Sequence, residues 1–168
     1  MSEELPTPDE LEKATPPEVE GPESLPDLEK QMVRHAADAV THARTTFGVE
    51  LDLSPESVGA LEAIAQAIYQ LLQEGEELSD PEFDILCKIY GGHLGEIIRE
   101  NIGGVWEYDL ETMPGVAVIS LGLVHGRVFP PMKWARRIER GSEEDLRRYY
   151  ERIKAAESGE TKKDEDRS

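Results

Sequence analysis

The chain has 168 residues, a formal net charge of -18 and one cysteine. That length suits about one domain, and the acidity disfavours nucleic-acid backbones and anionic membrane surfaces as partners. A lone Cys87 excludes a disulfide framework and a thiolate-rich zinc site, and fits a reducing, cytoplasmic setting.

Residues 1–26 hold eight acids against one base, Lys13, and six of the eleven prolines. So polar and charged a segment cannot offset the entropy of ordering, and is expected to be a disordered, solvating tail. Residues 157–168, with five acids and three bases, read the same way. The two tails carry -9, leaving -9 on a single domain expected over residues 27–156. The N-terminus lacks the basic and apolar regions of a signal peptide, and no apolar run approaches the length of a membrane span.

The first helix is expected to open at Asp27, just after Pro26. Leu28, Met32, Ala36, Ala39, Val40, Ala43 and Phe47 form one apolar stripe, and Gly48 ends it. Ser54 as N-cap and Pro55 at N1 predict a second helix. Its buried face is Val58, Leu61, Ile64, Ala65, Ile68, Leu71 and Leu72. Ser79-Asp80-Pro81-Glu82 starts a third. That helix is apolar on two sides, through Phe83, Leu86, Tyr90, Leu94, Ile97 and Ile98 with Ile85 and Ile89, and is expected to be central. Gly103-Gly104 terminates it.

The period then changes. Val105–Asp109, Val116–Ser120 and Arg127–Phe129 read as three short strands, with turns at Met113-Pro114-Gly115 and His125-Gly126. The simplest arrangement is an antiparallel meander. Pro130-Pro131 stops the sheet. A short helix follows through Met132, Trp134, Ala135 and Ile138 to Gly141. A last helix is expected to be capped by Ser142, with Leu146, Tyr149, Tyr150 and Ile153 on its apolar side. The fold class is therefore α+β: three N-terminal helices, a small three-stranded antiparallel meander and two C-terminal helices.

No catalytic signature, cofactor motif or complete metal site emerges. His93 and Glu96 sit at i and i+3 on the third helix, but a metal site needs further ligands. Cys87 falls on an apolar helix face, where a thiol is inert. Gly91-Gly92-x-x-Gly95 lacks the strand and the Lys-Ser/Thr of a phosphate loop. It reads instead as a packing notch within a helix, where each glycine costs about 1 kcal/mol against alanine. Residues 131–156 carry +3 while residues 27–130 carry -12. This polarity reads first as C-terminal helices docking on an acidic body, and second as a basic patch for an acidic partner or nucleotide.

The stretch from Tyr90 to Arg140 runs through Gly92, Leu94-Gly95-Glu96, Gly103-Gly104 and Trp106. It continues through two short strands to Val128-Phe129-Pro130 and Arg137-Ile138-Glu139-Arg140-Gly141. That order resembles a bacterial family without an assigned activity, in which a glycine-containing helix precedes a strand tryptophan, a meander and an R-x-E-R-G segment. The resemblance implies a bacterial, cytosolic α+β domain and assigns no catalytic residue.

The leading expectation is a non-enzymatic interaction module, an adaptor or an immunity-like inhibitor, that meets a protein partner through its acidic surface. The alternative is a small-ligand or enzymatic site between sheet and helices, using His93, Glu96, Trp106 or Arg136. Oligomeric state is left open by the sequence.

Overall fold

The structure is a computed structural model, and it describes residues 24–108, 117–121 and 126–158. Its elements are α1 (Ser24–His42), α2 (Ser57–Gln73), α3 (Asp80–Asn101), β1 (Val105–Tyr108), β2 (Ala117–Ser120), β3 (Arg127–Val128), α4 (Pro130–Arg140) and α5 (Leu146–Ser158). This is the expected α+β class and order. The predicted turn at Met113-Pro114-Gly115, the outer strand residues Asp109 and Val116, and His125 lie outside the described residues, as do residues 1–23 and 159–168.

Several boundaries differ from expectation, each for a local reason. α1 starts at Ser24, so residues 24–26 belong to the helix and not to the tail. Pro26 falls in the first turn, where a missing N–H costs nothing. α1 closes in a wider π-type turn, Ala43–Phe47, with Gly48 in the left-handed region at φ 67°.

α2 begins at Ser57 rather than Pro55, and Ser54 does not cap it. Asp52 organises this start instead. Its Oδ1 accepts from the Ser54 N–H at 2.9 Å, the Ser54 hydroxyl at 2.6 Å and the Ser57 hydroxyl at 2.9 Å. Tight i→i+3 bonds from Ser57 and Val58 to Ser54 and Pro55 precede the helix proper.

α3 starts as predicted. Ser79 and Glu82 form a capping box: the Ser79 N–H donates to Glu82 at 2.9 Å and the Glu82 N–H to Ser79 Oγ at 3.2 Å. Gly103 and Gly104 have φ of 127° and 114° and end the run. From Gly91 to Ile98 every residue of α3 is buried, which is the central position its two apolar sides require. α1 lies along one side of α3 and α4 along another, while α2 meets α4 and α5.

The sheet is antiparallel in the order β1-β2-β3, with Trp106 opposite Ile119 and Ile119 opposite Val128. Phe129 is not in the third strand; it precedes the α4 helix, whose first positions are the two prolines.

The last helix is capped differently from expectation. Ser142–Glu144 is a separate 3₁₀ turn, and α5 starts at Leu146. Asp145 Oδ1 accepts from the Arg148 N–H at 2.9 Å, so Asp145 does what Ser142 was expected to do. No helix among the described residues is long and apolar enough to cross a membrane.

Candidate functional site

His93, Glu96 and Trp106 are brought together, because α3 leads into β1 through the Gly103-Gly104 turn and the strand folds back over the helix. All three are buried. Trp106 Nε1 donates to Glu96 Oε2 at 2.7 Å. Arg99 donates to both Glu96 oxygens, at 2.8 and 3.3 Å, and pairs with Glu29 of α1 at 3.2 Å. Gly95 makes room for this: a side chain there would collide with the Trp106 ring. Gly91 makes the same room for the backbone of Pro131. The glycines are a packing notch, and Glu96 is the pin that fixes β1 to α3.

His93 is fully buried, and its ring meets the Asp52 backbone only in a geometry short of a full hydrogen bond. Burial pushes its pKa down to about 4, against the opposing pull of Asp52 and Glu96. With Glu96 and Asp52 it lines a pocket of about 210 Å³ whose other walls are Val33, Ala36, Ala37, Val40 and Leu53. No group of three or more His, Cys, Asp or Glu side chains that could hold a metal occurs among the described residues. The Cys87 thiol is pushed up to about 12, chiefly by burial, which leaves it protonated and unreactive.

Arg136 stands apart from these three, exposed on α4. The arginine with a buried role is its neighbour. Arg137 is 1% exposed and reaches Glu62 of α2 through Nε at 3.0 Å and Nη2 at 2.7 Å. Nη2 also donates to Gln66 at 2.6 Å. Glu62 in turn accepts the Leu146 N–H at 3.0 Å, so one carboxylate ties α2 and α4 together and caps α5. The bases of the C-terminal helices thus serve docking in part, as their charge contrast with the body suggested.

Arg136 faces a different feature. With Arg127, Phe129, Met132, Lys133 and Tyr149 it lines a cavity of about 390 Å³ between β3, α4 and α5.

A third feature was not legible as a site. At the end of α2, the start of α3 and the π-turn after α1, a groove of about 230 Å³ is lined by Phe47, Ile68, Leu71, Leu72, Leu78 and Leu86. Glu76, Glu77 and Glu82 border it, and all three are exposed. Leu71, expected in the core, is 45% exposed, whereas the adjacent Leu72 packs against the core. His42 also lines this groove. Its Nδ1 lies 2.6 Å from the Tyr90 hydroxyl, and Tyr90 stacks on Trp134 with ring centroids 4.7 Å apart. Trp134 is therefore a core anchor, and the groove wall is braced by the core.

No family model, no curated protein and no solved structure matches this chain. The resemblance carried by the Gly92-to-Gly141 stretch is accordingly without a matching family model.

Proposed function

We propose that the domain is a non-enzymatic binding module that docks a basic segment of another protein, anchored by apolar side chains, in the groove between α2 and α3. The observation that carries this reading is the pairing of an exposed apolar floor with an acidic rim. Leu71 presents apolar surface to solvent, and three carboxylates stand around it with no lysine or arginine in the lining. An apolar contact supplies affinity and the rim supplies orientation and encounter rate. The excess of -12 on residues 27–130 extends that field beyond the groove. Two carboxylates that would be obvious candidates for acid–base chemistry, Glu62 and Glu96, are already committed to holding Arg137, Arg99 and Trp106.

Calorimetric titration with a leucine- and lysine-rich amphipathic peptide tests it, against a leucine- and glutamate-rich peptide of the same length. The basic peptide should bind, more weakly at about 500 mM than at about 50 mM salt, because the rim charges are exposed and screened. Leu71→Asp and the double change Glu76→Lys with Glu77→Lys should each abolish or strongly reduce binding. Equal binding of the acidic peptide, or indifference to both variants, would overturn the reading.

A further inference from the structure

The cavity between β3, α4 and α5 has the opposite character to the groove. Its charged walls are Arg127, Lys133 and Arg136, and its apolar walls are Val128, Phe129 and Met132. At about 390 Å³ it falls within the range of small-molecule sites.

The three bases are not equally committed. Lys133 donates to Glu144 at 2.8 Å and sits over the Tyr149 ring, 5.2 Å from its centroid. Arg127 pairs with Glu107 at 3.1 Å. Arg136 is exposed and has no ion pair at contact distance among the described residues. The Lys133 hydrogen bond, with smaller contributions from the Arg140 and Arg136 charges, holds the Glu144 carboxyl below its ordinary range.

Tyr149 supplies the second observation. Its hydroxyl oxygen is shielded from solvent and meets only the Phe129 backbone, in a geometry short of a full hydrogen bond, and the residue lines the cavity. Buried polar groups ordinarily find partners, and one left without calls for an explanation. A hydroxyl near Lys133 and Arg136 can donate to an anionic oxygen, while Phe129 and Met132 cover an apolar body.

We infer that this cavity binds a small organic anion, a phosphate or carboxylate carried on an aromatic or aliphatic group. Its charge is placed between Arg136 and Lys133, with an oxygen within reach of the Tyr149 hydroxyl. The site is independent of the groove between α2 and α3, and either can fail without the other.

The test is calorimetric or NMR titration of the full chain with four probes: phenyl phosphate, benzoate, inorganic phosphate and neutral benzyl alcohol. At least one of the first two should bind saturably at one per chain, and whichever binds identifies the preferred head group. Inorganic phosphate and benzyl alcohol should each bind at least about tenfold more weakly, because each lacks half of the recognition. Arg136→Ala should weaken the aromatic anion about tenfold or more, as loss of a charge-assisted hydrogen bond does, with Arg136→Lys recovering part of that. Tyr149→Phe removes only the hydroxyl and should weaken binding a few-fold. Arg136 is exposed, so its variants are expected to keep the wild-type circular dichroism and Tm. The inference is overturned if neither aromatic anion saturates, if inorganic phosphate binds as well as they do, or if Arg136→Ala changes nothing.

Discussion

Arg137 of α4 and Glu62 of α2 form a buried, forked ion pair, with Nη2 2.7 Å from Oε2 and Nε 3.0 Å from both carboxylate oxygens. The contact joins residues 75 positions apart in sequence. Both side chains leave water almost completely, so neither can lose its partner cheaply. A buried pair is weak evidence of net stabilisation, but removing one member leaves an uncompensated charge and costs about 3–5 kcal/mol.

Glu62→Ala and Arg137→Ala should therefore each destabilise by about that amount in urea unfolding. The double variant Glu62→Leu with Arg137→Met should cost clearly less than the sum of the single changes, because it leaves no orphaned charge. It should not recover fully, since Leu146 loses the carboxylate that accepts its N–H. Strict additivity would contradict the pairing.

Two helical glycines should respond in opposite directions. Gly95→Ala places a methyl group against the Trp106 ring, and should cost about 1–3 kcal/mol by overpacking. Gly59 lies near the start of α2, where an added Cβ would meet only Arg147 Cδ at 3.8 Å. Gly59→Ala should stabilise by up to about 1 kcal/mol through helix propensity. Thermal melts of the two variants decide it.

His93 should make stability depend on pH. Its folded pKa, about 4, lies below the ordinary value of 6.5. Between those values the unfolded chain takes up a proton that the folded chain refuses. Stability is then full above pH 6.5 and is lost as pH falls toward 4, by up to about 1.4 kcal/mol per pH unit for one such group. His35, also pushed down to about 4, mainly by burial, acts in the same direction. His93→Leu should flatten the pH dependence in this window with little loss of stability at neutral pH, because the imidazole forfeits only a poorly aligned contact with the Asp52 backbone. An unchanged slope would show that His93 titrates normally.

The fold was largely readable because its signals are local. The Ser79 capping box, the two-sided apolar pattern of α3, the change to alternation at Val105 and the Gly103-Gly104 stop each act within a few residues. Where the reading failed, partners came from elsewhere. Asp52 displaced Ser54 at the start of α2 because its carboxylate reaches forward to two hydroxyls. Asp145, backed by Glu62 from another helix, displaced Ser142 at the start of α5.

The site residues divide the same way. His93, Glu96 and Trp106 were singled out and do converge, since they lie within fourteen residues on adjoining elements. Arg137, not the expected Arg136, holds the buried role, and its signal is local: Trp134, Arg137 and Ile138 share one helical stripe. Glu62 likewise lies on the α2 stripe between Leu61 and Ala65. Opposite charges on two apolar stripes are the mark of a buried pair. The groove beside Leu71 leaves no such mark, because the apolar stripe runs on through Leu71 and Leu72 although only Leu72 packs on the core.

The most direct test of the binding reading is residue-level NMR mapping of the labelled protein as the basic amphipathic peptide is added. The account predicts saturable shifts concentrated at Phe47, Leu71, Leu72, Glu76, Glu77 and Leu78, with α4 and α5 unaffected. Shifts centred on other faces, or spread evenly over the acidic surface without saturation, would contradict it.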